Sequence, residues 1–424
     1  MSRVPPAAGT AGMRCTCTAC PLLCDDIPAA ADDALACARG RAAFAAALPE
    51  TADGPPAADR HGAATIARAA QALAAGRRVL VTGMADATLE TVLAACDLAE
   101  ALGAAVDAGD ADTSAVAGPT IARIGRVTAD WEELRDRADL VLFWGCDPTV
   151  SHPRFLERFV TPPLVDGRPR RTIAVGPAAV LPDSRHHRHL PLDADHLVEA
   201  ARLLQFVLGG GDAATTTEAS LATVCNALAA EVRGASCVAL LTGARDDVGL
   251  AAWSGVHLVR AVAHHAPAFE VPLAATGVGF ASAAAVCTWR YGAAGGIVRA
   301  DRSGSSFLPA EATAARLIAR GEVDVVLAVG RLAPDVEAAI AAAGPRLTVV
   351  RISAATAEPT AKSRSLWLRC ADPLLTAGTM LRGDGRTVTI APPRPSPFPV
   401  ARELLLLVHK AVSAVQAPVA GDRA

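Results

Sequence analysis

Aromatic residues and lysine are scarce in this chain of 424 residues. Aromatic side chains make up 4% of the sequence, and only Lys362 and Lys410 are lysines, so almost all positive charge is carried by arginine. The net charge is −3, and no basic stripe interleaved with aromatic residues is present. Because a nucleic-acid-binding surface is typically built from such a stripe, we expect no nucleic-acid partner.

Long apolar runs are missing as well. No run reaches the roughly 20 residues that cross a bilayer, and the opening residues Met-Ser-Arg-Val-Pro-Pro lack the apolar core of a signal peptide. The sequence therefore predicts a cytoplasmic protein with no membrane partner. In a reducing compartment the eleven cysteines are better explained as metal ligands or buried side chains than as disulfides.

Short apolar runs alternate with helical patterns along most of the chain. Runs rich in β-branched and other apolar residues predict strands at 78–82, 139–144, 171–175, 238–242, 323–329 and 347–352. Continuous apolar strands separated by helices are typical of parallel sheets that are covered on both faces. The predicted fold class is α/β, with two doubly wound αβα domains and a small N-terminal cysteine segment.

The domain boundaries follow from changes in composition. We expect a cysteine segment at 1–46 and a first α/β domain at 47–150, which 320–395 would complete. A second α/β domain is expected at 151–319, and a C-terminal helix and tail at 396–424.

Four cysteines near the N-terminus form the most specific motif. Cys17, Cys20 and Cys24 follow the pattern Cys-x2-Cys-x3-Cys, and Cys37 follows at a distance. Four thiolates can bind one [4Fe-4S] cluster, and zinc also accepts four thiolates. Cys15 adds a fifth thiol, so the spacing alone leaves the occupant open.

A second candidate site follows the strand at 139–144. Loops at the carboxyl ends of parallel strands are where open α/β sheets bind ligands. Ser151 is expected to cap a helix here, and the N-terminus of that helix could receive a phosphate. An ordinary strand–turn–helix junction explains the same residues equally well. The candidate cofactor-binding residues are Trp144, Gly145, Asp147, His152 and Arg154.

Several motifs together resemble one protein family. They are Cys17-x2-Cys20-x3-Cys24-Asp25-Asp26-Ile27, Phe143-Trp144-Gly145-Cys146-Asp147-Pro148 with His152-Pro153-Arg154, Thr288-Trp289-Arg290-Tyr291-Gly292, Arg320-Gly321-Glu322-Val323-Asp324, and Gly378-Thr379 with Arg382 and Asp384-Gly385. The chain resembles the B-type subunits of formylmethanofuran dehydrogenases, and within that family those of the bacterial formyltransferase/hydrolase complex.

The resemblance implies a fold and a set of cofactors. The fold would be that of molybdopterin- and tungstopterin-dependent oxidoreductases such as formate dehydrogenase and DMSO reductase. In that family the cysteine segment holds a [4Fe-4S] cluster, and two α/β domains hold a bis-pterin guanine dinucleotide. A Cys-His pair there ligates the metal and assists the chemistry.

This sequence departs from the family at the cofactor positions. Val116 and Ala117 stand where the family has Cys and His, although Gly118-Pro119 is kept. Gly176-Pro177-Ala178 replaces the family's Asp-Pro-Arg, and Gly330-Arg331 replaces a Ser-Asp-Pro loop. Because the losses fall on cofactor positions, we expect no molybdopterin or tungstopterin and no catalytic residue in this chain.

The resemblance therefore implies a non-redox scaffold, the B-type subunit of a formyltransferase/hydrolase complex in C1 metabolism. That complex converts formyl-tetrahydromethanopterin to formate through a methanofuran-type carrier, and the partners would be its A, C and D type subunits. The alternative is a catalytic B-type subunit of a formylmethanofuran dehydrogenase, with molybdopterin or tungstopterin and a [4Fe-4S] cluster. Thr113 and Ser114 lie near enough in sequence to serve there as metal ligands.

Overall fold

The computed structural model describes most of the chain as two compact units. The described residues are 14–28, 37–47, 62–108, 123–177, 180, 187–213, 218–243, 250–273, 278–301, 304–308, 310–354 and 364–417. The first unit comprises Met1–Ser114, Thr276–Arg382 and Thr387–Ala424, and the second comprises Ala115–Ala275 with Gly383–Arg386.

Strands and helices alternate along the chain. The strands are β1 (Arg14–Cys15), β2 (Ile27–Pro28), β3 (Val79–Gly83), β4 (Ala105–Asp107), β5 (Leu140–Trp144), β6 (Arg171–Gly176), β7 (His187–Pro191), β8 (Val238–Gly243), β9 (Ala268–Leu273), β10 (Ile297–Arg299), β11 (Ser306–Phe307), β12 (Val325–Val329), β13 (Thr348–Ser353), β14 (Arg364–Arg369), β15 (Gly378–Leu381) and β16 (Thr387–Ile390). The α-helices are α1 (Ala38–Ala47), α2 (Ala63–Ala75), α3 (Leu89–Leu102), α4 (Trp131–Arg137), α5 (Pro148–Ser151), α6 (Leu197–Leu208), α7 (Ala219–Arg233), α8 (Leu250–Val262), α9 (Phe280–Tyr291), α10 (Ala314–Ala319), α11 (Pro334–Ala343) and α12 (Ala401–Gln416). Within these described ranges, no helix is long and apolar enough to cross a membrane.

A seven-stranded sheet forms the centre of the first unit, in the order β11-β10-β4-β3-β12-β13-β14. The strands from β4 to β14 in this order are parallel, and β10 and β11 add an antiparallel edge. Successive side chains of β3 point to opposite faces: Val79 and Val81 join one apolar cluster with α2, α3, α9 and α12. Leu80 joins a second cluster with α10 and α11. Because each face has its own core, this sheet is doubly wound.

The connections of this sheet diverge at its centre. From β3 the chain continues to β4 on one side, whereas from the neighbouring β12 it continues to β13 on the other. Gly83 ends β3 with a positive φ of 91°, and a Cβ there would overlap the carbonyl oxygen of Val329. The two strand ends therefore lie close together, at the kind of switch point where open α/β sheets bind ligands.

Asp324 connects the amino ends of the same two strands. Its carboxylate accepts hydrogen bonds from the amides of Arg77 and Arg78, both at 3.0 Å. Burial opposes the charged form, but these two amides and the Arg77 guanidinium lower the pKa of Asp324 below its ordinary value.

Replacing Asp324 with asparagine is expected to lower the free energy of unfolding by about 1 kcal/mol at neutral pH, because one amide oxygen replaces two charged acceptors and solvent screens part of the effect. The folded-state pKa is depressed, so the carboxylate stabilises the fold above its ordinary pKa near ~4, and this contribution is lost as the pH falls through the folded-state value. Urea titrations of parent and variant from pH 7 downward should show the difference shrinking. A difference that is constant with pH would contradict the role of the charge.

The second unit is built on five parallel strands in the order β7-β6-β5-β8-β9. Side chains of β5, β6 and β8 pack against α6, α7 and α8 in one apolar cluster. The chain runs from β5 to β6 on one side and from β8 to β9 on the other, so this sheet has its switch point between β5 and β8.

The predicted α/β class is confirmed, but the predicted domain boundaries need correction. The strand at 140–144 pairs with β6 and β8, so it belongs to the second unit rather than to a first domain ending at 150. The second unit ends at Ala275 rather than at 319, since α9 and β10 pack in the first unit. An apolar strand looks the same in sequence whichever sheet it joins, because its strand partners are distant in sequence.

The two terminal segments also belong to the first unit instead of standing apart. Leu404, Leu405 and Val408 of α12 lie in the core beside α2 and α3. At the other end, the Thr16 amide donates to the carbonyl of Ala391 at 2.8 Å, and Leu23 packs in a small cluster with β15 and β16.

Candidate functional site

A cleft of about 370 Å³ lies at the carboxyl edge of the seven-stranded sheet. Its walls are the loops and helix starts that follow β3, β12, β13 and β14. The polar side chains that line it are Asp86, Thr88, Thr91, Arg331, Glu337, Arg351, Ser353, Asp372 and Thr376. Only the loop at Gly330-Arg331 was singled out from the sequence, because the other walls come from segments far apart in the chain.

Asp86 reaches across the switch point to the loop after β12. Its Oδ1 accepts a hydrogen bond from the backbone amide of Arg331 at 3.1 Å. A Cβ at position 330 would overlap that oxygen, so the contact requires Gly330, whose φ is 72°. Burial and the nearby carboxylate of Asp372 raise the pKa of Asp86, while the Arg331 amide and guanidinium act in the opposite direction.

Arg351 and Glu337 form a bidentate ion pair on another wall. Both terminal nitrogens of Arg351 donate to the Glu337 carboxylate at 2.7 Å. Arg351 is 6% exposed, and its buried Nε has no hydrogen-bond partner among the residues that the structure describes. The two terminal nitrogens of the guanidinium are therefore hydrogen-bonded to Glu337, whereas Nε makes no hydrogen bond to a described residue.

Asp372 lies on the wall formed by the loop after β14. Its side chain caps a short 3₁₀ segment, Pro373–Leu375, by accepting from the Leu374 amide at 2.9 Å. Burial raises the pKa of Asp372, against the effect of that amide and of Arg331. The cleft thus combines carboxylates, guanidinium groups and helix starts, which is the composition of a binding site for a polar ligand.

The end of β5 and the loop after it hold the five residues that the sequence suggested for cofactor binding. Trp144 points into the core of the second unit. Asp147 caps α5, because its carboxylate accepts from the Thr149 amide at 2.8 Å and the Thr149 hydroxyl at 2.6 Å. The predicted helix cap was wrong: the helix begins at Pro148, and Ser151 is its last residue.

His152 and Arg154 are also held by neighbours in this loop. His152 is buried, its ring packs edge-on against Trp131 with 5.5 Å between centroids, and its Nδ1 lies 2.7 Å from the Ser151 hydroxyl. Arg154 pairs with Glu157, with 2.7 Å between Nη2 and Oε1. Local packing and capping account for each side chain, and their role toward a cofactor stays a prediction.

The strand ends at the second switch point are packed against each other. Gly145 donates its amide to the Val175 carbonyl at 2.7 Å, and a Cβ on Gly176 would lie 3.2 Å from the Gly145 Cα. A Cβ on Gly243 would lie 2.9 Å from that of Cys146. The Cys146 thiol is partly exposed and donates to the Leu241 carbonyl at 3.3 Å, and burial raises its pKa to about 12, so little of it is thiolate at neutral pH.

The predicted metal ligands lie together in the N-terminal segment. Cys17, Cys20 and Cys24 are buried, and Cys37 is partly exposed. Burial raises the pKa of Cys17 to about 12 and that of Cys20 to about 11, and repulsion from the neighbouring thiolates, Cys37 among them, adds to both. Within the described residues, no group of three or more His, Cys, Asp or Glu side chains is arranged as a finished metal site.

Gly40 allows the thiols to approach one another. Its amide donates to the Cys37 sulfur at 3.2 Å. A Cβ at this position would lie 3.3 Å from the Cys37 sulfur and 3.6 Å from the Cys17 sulfur. Two cysteines that are distant in sequence therefore face the same small space beside α1.

Some predicted positions lie outside the described residues. They are Thr113, Ser114, Val116, Ala117, Gly118, Pro119 and Ala178.

Comparison with known proteins reveals one informative likeness. No family model matches this chain, and no curated protein sequence matches it. Among solved structures it is similar to a chain in the X-ray crystal structure of the formyltransferase/hydrolase complex (FhcABCD) from Methylorubrum extorquens in complex with methylofuran. The TM-score is 0.70 at 20% sequence identity, and the match covers 83% of this chain and 96% of that chain.

The two proteins share a fold. The predicted likeness to a formyltransferase/hydrolase complex is thereby confirmed at the level of structure. An identity of 20% carries the α/β fold alone, and activity and partners need a separate argument.

Proposed function

We propose that this chain is a non-redox B-type subunit of a formyltransferase/hydrolase complex, where it serves as a scaffold for A, C and D type subunits. The observation that carries the proposal is the fold match over 96% of a chain from such a complex. The finer assignment to the formate dehydrogenase/DMSO reductase architecture belongs to the same proposal.

We expect no pterin dinucleotide in the crevices described above, and two contacts support this expectation. At the first switch point the Asp86 carboxylate lies against the Arg331 amide, a backbone donor that a phosphate would otherwise use. At the second, Cys146 and the close contact of Gly145 with Gly176 fill the space between strand ends. These contacts support a chain that has lost the redox cofactor.

The cysteine segment does fit an iron–sulfur cluster in its donor set. Cys17, Cys20, Cys24 and Cys37 supply four thiols, and the Gly40 amide donates to one of the sulfurs, as amides do around protein clusters. A cluster held there would supply one-electron transfer or would fasten the segment. In a protein without a pterin metal, the second role is the one we propose.

Exposed apolar side chains support a role in assembly. In the first unit Trp289 is 68% exposed, and Phe307 and Leu308 are also exposed. In the second unit the exposed fraction is 76% for Val150 and 81% for Val165. Exposed apolar residues of this size are common on surfaces that partner chains cover.

Metal analysis of the assembled complex tests the proposal. We expect the chain, co-expressed with its A, C and D type partners and purified without oxygen, to co-elute with them and to contain no stoichiometric molybdenum or tungsten. Iron would be measured in the same sample together with its absorption spectrum. A Cys20→Ser variant should lose any bound iron, whereas Cys237→Ser, which removes a thiol of the second unit, should retain it.

Two outcomes would overturn the proposal. Stoichiometric molybdenum or tungsten, with oxidation of formylmethanofuran by an artificial electron acceptor, would identify a catalytic dehydrogenase subunit instead. A stable monomer that never co-elutes with the three partner subunits would point to an independent binding protein.

A further inference from the structure

The cleft at the switch point of the seven-stranded sheet has the surroundings of an anion site. Three long helices begin at its walls: α3 after Thr88, α11 after Ala333, and α12 at Ala401. The first amides of a helix lack intrahelical partners and carry a partial positive charge. Thr88 caps α3 and the Glu403 carboxylate accepts from the Val400 amide at the start of α12, whereas Ala333 offers α11 no side-chain cap.

One residue of the cleft lining has an incompletely satisfied guanidinium. Arg351 is more than nine-tenths buried and lines the cleft, and its Nε has no hydrogen-bond partner among the described residues. Arg331 adds a second guanidinium at the exposed rim. A buried and incompletely satisfied guanidinium is costly unless an acceptor comes to it. These features point to a negatively charged group with several acceptor atoms.

The chain itself supplies a negative group at this place. The Asp86 oxygen bonded to the Arg331 amide occupies the space that the absent side chain of Gly330 leaves free. Gly279 supports the turn from behind, since a Cβ there would lie 2.5 Å from the Ala87 carbonyl oxygen and 2.8 Å from the Ala87 amide nitrogen. The turn that carries Asp86 is therefore fixed between two glycines.

We propose that Asp86 is a built-in anion, which occupies the phosphate position of this cleft and excludes phosphoryl-bearing ligands from it. A phosphate in this cleft could not accept a hydrogen bond from the Arg331 amide, because that amide already donates to the Asp86 carboxylate. The phosphate would also be repelled by the negative charge of Asp86. Asp372, on the opposite wall, adds to the repulsion. Removing the Asp86 carboxylate should free the Arg331 amide, the Arg331 guanidinium and the uncapped start of α11 to bind an anion, while the terminal nitrogens of Arg351 stay paired with Glu337.

Binding of inorganic pyrophosphate to the full chain tests this proposal. Isothermal titration should show at least tenfold tighter binding to Asp86→Ala than to the parent protein. Asp86→Asn removes the charge but keeps the volume of the side chain, so its affinity for pyrophosphate should rise less than that of Asp86→Ala. It also keeps the test valid if Asp86→Ala fails to fold. Glu311→Ala is the matched control, because it removes an exposed carboxylate of the first unit that pairs with Arg320 and does not line the cleft, and it should bind like the parent.

A second variant locates the bound anion. Adding Arg331→Ala to Asp86→Ala should return binding to the parent level, because the rim guanidinium is then missing. Equal affinity of the parent and both Asp86 variants for pyrophosphate would overturn the proposal, as would an equal gain in Glu311→Ala. The result is independent of the scaffold role, since neither metal content nor partner binding enters the measurement.

Discussion

Replacing Arg170 with methionine is expected to lower the free energy of unfolding of the second unit by about 3–5 kcal/mol. Arg170 is 6% exposed, and its guanidinium donates only to backbone carbonyls. The acceptors are the carbonyl oxygens of Leu134, Arg135, Ala138, Val160 and Pro162. Leu134, Arg135 and the capping residue Ala138 belong to the end of α4, Val160 ends the π-helical segment Leu156–Val160, and Pro162 follows that segment.

The size of the effect follows from what the variant leaves behind. Methionine fills much of the same volume but donates no hydrogen bond, so the carbonyls around the two helix ends lose the side-chain donor that they share. Burial lowers the pKa of Arg170 to about 10, against the opposite effect of the Asp136 and Asp139 carboxylates, so this buried charge depends on its polar neighbours. Lysine should recover little of the loss, since an ammonium cannot reach so many acceptors in a plane.

Urea unfolding with hydrogen exchange detected by mass spectrometry measures the change and locates it. Peptides from β5 and β6 should lose protection, while those from β12 and β13 in the first unit should keep theirs. Arg168→Met is the matched control. Arg168 is exposed and pairs only with Asp166, so that variant should unfold like the parent. Equal effects of the two substitutions would contradict the proposed role of Arg170.

The hydrogen-bond partners of Arg170 and Asp324 could not be predicted from the sequence, because they lie in distant segments of the chain. Arg170 lies in the polar run Gly167-Arg-Pro-Arg-Arg171, which has the composition of a solvated loop. Its acceptors belong to segments up to 36 residues away. By contrast, strands such as β3, β5, β6 and β12 were predicted within one or two residues, because an apolar run bounded by turn residues is a local signal.

The two candidate sites differ in the same respect: one is formed by a single local segment and the other by segments that are distant in sequence. The loop at 145–154 was recognised because it follows one strand directly, yet its side chains are engaged in capping and packing. The cleft in the first unit was missed because its carboxylates, Asp86 and Asp372, come from opposite ends of that unit's sequence. Only strand order brings them to one edge, and the pairing of β3 with β12 spans more than 240 residues.

The aromatic cluster around Trp131 provides the second large expected effect. Trp131 is 1% exposed and begins α4. Its ring lies 5.3 Å from that of Phe155 and 5.5 Å from those of Phe159 and His152, measured between centroids. Trp131→Ala is expected to lower the free energy of unfolding by about 3–5 kcal/mol, from lost apolar burial and the cavity that remains.

The loss should reach the loop after β5, because His152 closes that loop and packs against the indole. In the variant, Cys146 at the start of the loop should react faster with a thiol reagent, since local opening would expose it. Trp131→Phe keeps most of the ring contacts and should cost less than half as much. Cys225, a buried residue of α7 whose thiol donates to the Ala200 carbonyl of α6, supplies the internal reference for labelling. Faster labelling of both thiols would mean that the whole unit opens, and unchanged labelling of Cys146 would mean that the aromatic cluster does not hold the loop.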